Sequence, residues 1–162
     1  MPNIVLYEPE IPPNTGNIAR TCAATNTELH LVGELGFEIS DRAVKRAGLD
    51  YWPYVDLHQH SNWTKFAQYQ QQKSGNLIAF SVKGTQSYSN YSFQAADWLL
   101  FGCESKGLPP EIMANADAIL RIPIPNPQVR SLNLSVSVAI ALYEAKRQLG
   151  ELHDPSLSTS KQ

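Results

Sequence analysis

The chain has 162 residues, 43% of them hydrophobic and 17% charged, which is ample for one buried core without disulfide or metal staples. A net charge of −2 excludes a globally basic nucleic-acid binder, so any grip on phosphate must come from local clusters. No apolar run approaches the roughly 20 residues of a membrane span, and the opening Met1-Pro2-Asn3-Ile4-Val5-Leu6-Tyr7-Glu8 lacks a leader pattern. Cys22 and Cys103 have neither metal-ligand nor redox spacing, so a cytoplasmic location with no membrane and no metal partner is expected.

Short apolar runs rich in branched residues alternate with helix-forming segments. In chain order they predict a strand at 3–7, a helix at 15–25, a strand at 29–33, a helix at 41–47 and a strand at 54–58. A helix at 63–72, strands at 77–81 and 98–102, a helix at 110–114 and a strand at 119–123 follow. Such alternation implies an α/β fold with a mostly parallel sheet and helices on both faces. The stretch from Leu132 to Leu142 alternates with period two, as a strand would, but runs on into Tyr143-Glu144-Ala145-Lys146-Arg147 and Gly150. Its length favours one long helix. Wound as a helix, Leu132, Val136, Ile140 and Tyr143 form one apolar stripe and Leu134, Val138 and Leu142 another, so both sides need a covering surface. One is the sheet; the other points to a homodimer. Residues 1–152 read as one domain and 153–162, polar and serine-rich, as a disordered tail.

Three segments carry the chemistry, each just after a predicted strand, where open α/β sheets bind ligands. In Glu10-Ile11-Pro12-Pro13-Asn14-Thr15-Gly16-Asn17-Ile18-Ala19-Arg20, prolines stop the strand and Asn14 or Thr15 can cap a helix. Asn14, Asn17 and Arg20 then recur near one helix face; the plain alternative is a capped surface helix with an incidental arginine. In Phe101-Gly102-Cys103-Glu104-Ser105-Lys106-Gly107-Leu108-Pro109-Pro110, Gly102 ends a strand and Gly107 permits a left-handed turn. Glu104 between them either accepts hydrogen bonds from a ligand or caps the turn. The segment matches neither a dinucleotide fingerprint nor a Walker loop. In Arg121-Ile122-Pro123-Ile124-Pro125-Asn126-Pro127-Gln128-Val129-Arg130-Ser131-Leu132-Asn133-Leu134-Ser135, alternating prolines fix an extended backbone with free carbonyls. That is either a wall for an adenine or a stiff connector before an N-cap, and Ser131, Asn133 and Ser135 place small polar groups at what is expected to be a buried helix start.

Two further clusters stand outside these segments. Arg42, Lys45 and Arg46 are either an RNA contact or a solvated helix face. Asp56, His58 and His60 share one strand face at spacing two, but histidines beside a loop are more often solvent-exposed than metal-bound. Cys103 has no histidine close in sequence to activate it as a nucleophile.

In this order the three segments resemble the three motifs of the SPOUT methyltransferases, most closely the tRNA (cytidine/uridine 2′-O)-methyltransferases of the wobble nucleotide. The shared residues are Asn14-Thr15-Gly16-Asn17 with Arg20, then Phe101-Gly102-Cys103-Glu104 with Gly107-Leu108-Pro109, then Ile122-Pro123 with Arg130-Ser131-Leu132-Asn133-Leu134-Ser135. Arg46-Ala47-Gly48-Leu49-Asp50-Tyr51 also looks like that subgroup, and the similarity spans roughly residues 3 to 150. The resemblance implies a C-terminal trefoil knot, which periodicity does not predict and default topology rules exclude. It implies S-adenosyl-L-methionine as cofactor and tRNA as partner. Cofactor contacts are expected at Phe80, by its backbone only, and at Ser81, Gly102, Glu104, Gly107, Ile122, Ser131 and Leu132. Arg20, Asn14 and Asn133 are the catalytic candidates. A guanidinium rarely loses its proton, so Arg20 is expected to stabilise charge or to meet an RNA phosphate. The alternatives are 2′-O-methylation of another tRNA or rRNA nucleotide, or a non-catalytic RNA-binding protein.

Overall fold

The computed structural model describes residues 1–40, 42–48 and 50–157, without the side chains of Lys45, Ala47 and Gly48. Its strands are β1 (Asn3–Tyr7), β2 (Leu29–Val32), β3 (Leu57–His60), β4 (Leu77–Phe80), β5 (Gln86–Ser87), β6 (Trp98–Phe101) and β7 (Ala118–Arg121). The helices are α1 (Pro12–Ala24), α2 (Arg42–Gly48), α3 (Trp63–Gln71), α4 (Pro110–Met113) and α5 (Leu134–Leu149). The strands form one sheet in the order β3-β2-β1-β6-β4-β7-β5, and every pairing is parallel.

Period-two alternation decides which face each residue serves. Ile4, Leu6, Leu29, Leu31, Ile78, Phe80, Leu99 and Phe101 pack with Ile18, Ala19 and Cys22 of α1 and Val138, Ala141, Leu142 and Ala145 of α5. The alternate residues Val5, Val32, Leu77, Ala79, Trp98 and Leu100 pack on the other face with Phe66 of α3 and Ile112 and Met113 of α4. Strands β2, β4 and β6 are buried throughout; β4 and β6 accordingly read as unbroken apolar runs, whereas β2 is interrupted by the buried, hydrogen-bonded His30.

Several boundaries move for physical reasons. The expected strand at 54–58 is Leu57–His60 instead, because Pro53 sits inside a single 3-10 turn over Trp52–Tyr54. Helix α1 begins at Pro12 rather than at 15, since prolines are tolerated in a first turn whose N–H groups have no helical partner. Neither Asn14 nor Thr15 caps it: the N-cap is Ile11, without a side-chain cap bond. Helix α5 starts at Leu134, and the expected buried start is open, with Ser131 and Asn133 both exposed. Strand β5, two residues long, is too short to leave a periodic signal. The tail expected at 153–162 falls partly on 158–162, outside the described residues.

The chain's course beyond β4 positions the site. Strand β7 lies between β4 and β5, so the link at 81–85 crosses over the carboxyl end of β7. Ser81 donates its N–H to the Leu120 carbonyl at 3.0 Å, and a Cβ on Gly84 would lie 2.6 Å from the Leu120 carbonyl carbon. The crossing is therefore backbone on backbone, a contact only glycine permits there.

Candidate active site

At the carboxyl ends of β4, β6 and β7 lies a cavity of about 600 Å³, within the size range of cofactor sites. Phe80, Ser81, Gly102, Glu104, Gly107, Ile122, Ser131 and Leu132 all line it, and so do Asn14 and Asn133. Phe80 is buried with its ring stacked on Phe101 at 4.8 Å. Residues 122–125 make no backbone hydrogen bond among the described residues, so the carbonyls of this wall remain free. Gly107 adopts φ +66°, and a Cβ on it would meet only open space.

Gly102 serves differently from what its motif position suggests. A Cβ there would fall 2.1 Å from the Gly107 carbonyl carbon and 2.3 Å from the Leu108 nitrogen. Its missing side chain lets the 103–107 turn fold back on the strand end; Gly102→Val breaks that turn rather than merely filling ligand space.

Glu104 ties the first two motifs together. Its carboxylate accepts from the Glu10 N–H at 2.7 Å, the Ile11 N–H at 3.1 Å and the Asn14 Nδ2 at 3.3 Å. It thus does for the entry of α1 what a capping side chain does locally, from 90 or more residues away. Glu10 reciprocates: its carboxylate accepts from the Ser105 hydroxyl at 2.7 Å and the Ser105 N–H at 3.1 Å. The Ser105 hydroxyl holds that carboxyl below the usual range. Asn133 Nδ2 then donates to Asn14 Oδ1 at 3.0 Å, while Asn133 Oδ1 caps α5 by accepting from the Ser135 and Val136 N–H groups at 2.9 and 3.3 Å. One chain, Asn133 to Asn14 to Glu104, binds all three motifs. Its polarity is fixed, because both Glu104 carboxyl oxygens already accept from backbone N–H groups and Asn14 must present its Nδ2 to them. Asn14 and Asn133 are therefore engaged in holding the loops.

Arg20 does not join them. It is exposed on α1, does not line the cavity, and donates from Nη2 to the Tyr51 hydroxyl at 2.9 Å. The expected common face of Asn14, Asn17 and Arg20 divides, with Asn14 buried at the cavity and the other two outside. Arg42 and Arg46 are exposed on α2, also away from the cavity, and the side chain of Lys45 lies outside the described residues. The sequence reading missed the cations that do stand at the cavity: Lys83, Lys106, Arg121 and Arg130, all exposed. They are scattered over three loops and the last residue of β7, so no run of charge announces them.

A second titratable cluster lies across β2 and β3, at the sheet edge. His30, fully buried, shares a 3.0 Å Nδ1···Nε2 hydrogen bond with His60 and approaches the Glu28 carboxylate at 3.2 Å through Nε2. Glu28, His30 and His58 bring one ligand atom each within 4.8 Å. The His30 and His58 rings, however, stack at 4.6 Å and 12°, so their in-plane lone pairs run in nearly parallel sheets and do not converge on one ion. Burial, reinforced by His58 and His60, pushes His30 down to about 3.

Comparison with known proteins places this geometry. The SpoU rRNA methylase family model matches residues 1–143. A tRNA (cytidine(34)-2′-O)-methyltransferase of Saccharophagus degradans is 49% identical over 91% of this chain and 96% of its own length. A solved structure concerned with 2-OH methylation of C/U34 on tRNA superposes with a TM-score of 0.88 at 50% identity, covering 93% of this chain and 97% of that one. An AdoMet-bound rRNA methyltransferase from Sinorhizobium meliloti superposes with a TM-score of 0.84 at 29% identity, over 91% of this chain and 56% of that one. With its three motifs gathered on one cavity and a family model matched over most of its length, the chain belongs to the SpoU rRNA methylase family.

Proposed function

We propose that this chain is an S-adenosyl-L-methionine-dependent tRNA methyltransferase that modifies the ribose 2′-hydroxyl of the wobble nucleotide, cytidine or modified uridine, in the cytoplasm. The observation that carries the reading is the cavity. Every residue expected to meet the cofactor lines it, and its free carbonyls and left-handed turn suit the amino edge and flat face of an adenine. The relatives acting at nucleotide 34 supply the position. When bound, the cofactor supplies an already activated methyl group, so the chain's own residues have to orient the ribose and manage charge on its oxygen.

The turn at 102–107 and the wall at 122–125 hold the cofactor, and the Asn133–Asn14–Glu104 chain keeps those loops in register. Lys83, Lys106, Arg121 and Arg130 make the mouth locally basic on a chain of net charge −2 and draw the RNA backbone to it. Arg20 stabilises the developing negative charge on the 2′-oxygen. Since it stands outside its own cavity, it serves the cavity of a partner subunit. The outward stripe of α5 supports such a homodimer: Val136 and Tyr143 are each 47% exposed, while Val138 and Leu142 are buried. The knotted path is part of the same reading. The 81–85 crossing over β7, and the return of α5 to α1, support a chain that threads its C-terminal segment through that loop.

Nucleoside mass spectrometry of tRNA incubated with the purified protein and S-adenosylmethionine tests this. The expected product is one 2′-O-methyl group at position 34. A mark confined to another nucleotide would overturn the position, and no mark would overturn the activity.

A further inference from the structure

Arg20 is held by a residue outside the three motifs. Its Nη2 donates to the Tyr51 hydroxyl at 2.9 Å, and its guanidinium carbon lies 4.4 Å from the centre of the Tyr51 ring. The two contacts are distinct: the hydroxyl fixes one nitrogen and the ring face fixes the plane. Tyr51 is itself placed by the segment between α2 and β3. Its carbonyl accepts from the Tyr54 N–H at 2.9 Å, closing the Trp52–Tyr54 turn, and Trp52 packs against the α1 side of the core. The turn thus fixes Tyr51 over α1 one residue before a proline-stiffened corner.

The chemistry of the holder matters. Among the described residues no carboxylate forms an ion pair with Arg20. A carboxylate would neutralise the guanidinium and compete with an oxyanion. A phenol and a ring face orient it and leave its charge available, and among the described residues the other N–H groups of its fork have no partner and can meet substrate. Arginine has a long side chain with high rotamer entropy, and an exposed one at a reacting centre has to be ordered by something.

We propose that Tyr51 is the positioning residue for Arg20, preorganising the guanidinium for the ribose oxygen. The inference rests on the methyl-transfer reading above. It requires that Tyr51 act on turnover only through Arg20, and not on cofactor binding.

The test is a double-mutant cycle in the full-length enzyme, measuring single-turnover methyl transfer to tRNA, KM for tRNA, cofactor affinity by calorimetry, and thermal midpoint. Tyr51→Phe keeps the ring and loses the hydroxyl; a fall in rate of about threefold to tenfold is expected. Tyr51→Leu loses both contacts and should lower the rate further, by about tenfold or more, with cofactor affinity and KM little changed. In an Arg20→Lys background, which keeps the positive charge but whose ammonium cannot use the same fork, Tyr51→Leu should cost less than about twofold. Full activity of folded Tyr51→Leu, or an equal loss in both backgrounds, overturns the proposal. So does Arg20→Lys retaining full rate, because Tyr51 would then have nothing to position. If the Tyr51→Leu chain does not fold, Tyr51→Phe decides the matter, and its full activity would equally overturn the proposal. Wild-type protein that methylates nothing is a different result: it removes the methyl-transfer reading itself.

Discussion

His30 is a fully buried imidazole held neutral by its surroundings. The partly exposed Glu28 carboxylate favours its charged form, but burial outweighs it and lowers the pKa to about 3. In the unfolded chain the same ring titrates near 6.5, so between these values the unfolded state binds the extra proton. Stability therefore rises with pH across that window and falls on acidification, by at most about 1.4 kcal/mol per pH unit from this group. His60, also shifted down by burial, acts in the same direction. Urea unfolding of wild type should weaken between pH 7 and pH 5, and His30→Gln, less stable throughout, should show a shallower slope over that range. An identical slope would mean that His30 carries none of the acid sensitivity. Residues 56, 58 and 60 are legible in the sequence as a strand-face cluster. Their buried partner is not, because only the β2–β3 register sets His30 opposite His58.

Among the elements, α5 shows best how sequence pattern and tertiary placement divide the work. Its two stripes are written in the sequence, and the structure sends Val138 and Leu142 inward while Val136 and Tyr143 face out. Its start is set by Asn133, which caps two backbone N–H groups and donates to Asn14. Asn133→Ala should cost about 1–2 kcal/mol of unfolding free energy, as N-cap deletions do. Asn133→Asp restores the cap but presents no donor to Asn14, whose own amide cannot turn round without setting an oxygen against Glu104. It should recover most of the stability yet still bind S-adenosylmethionine more weakly than wild type, as calorimetry can read. Equal affinity for Asn133→Asp and wild type would mean that the three-motif chain does not hold the pocket.

For the whole molecule the question is where Arg20 works. If each site takes Arg20 from one subunit and the cavity from the other, two defective chains can repair one another. Arg20→Ala removes the charge. Gly107→Leu projects a side chain into the open space beside the cavity, at a cost of about 1–2 kcal/mol for the left-handed backbone. Each homodimer should be inactive. After subunit exchange, the mixed dimer has one doubly defective site and one intact site, so activity should return to about a quarter of wild type with random pairing. A mixture that stays inactive despite verified exchange would place Arg20 in its own chain's site. Gly102→Val is unsuitable here, because the added side chain would strike the 103–107 backbone itself.

The alternation of short apolar runs with helical segments determined a parallel, two-faced sheet, since a strand buried on both sides is apolar except where, as at His30, a polar side chain finds buried partners. The prolines and glycines around the three motifs determined where the chain turns, and their residue types determined the chemistry gathered there. Tertiary structure alone decided that Glu104 takes up the Glu10 and Ile11 N–H groups at the entry of α1, because its partners lie 90 or more residues away. It also decided that Asn14 and Asn133 join loops, and that Lys83, Lys106, Arg121 and Arg130 meet at one mouth. Local periodicity records which side of an element is buried. It holds no record of which distant backbone N–H a carboxylate reaches, of two strands' relative register, or of a crossing that depends on the absent side chain of Gly84.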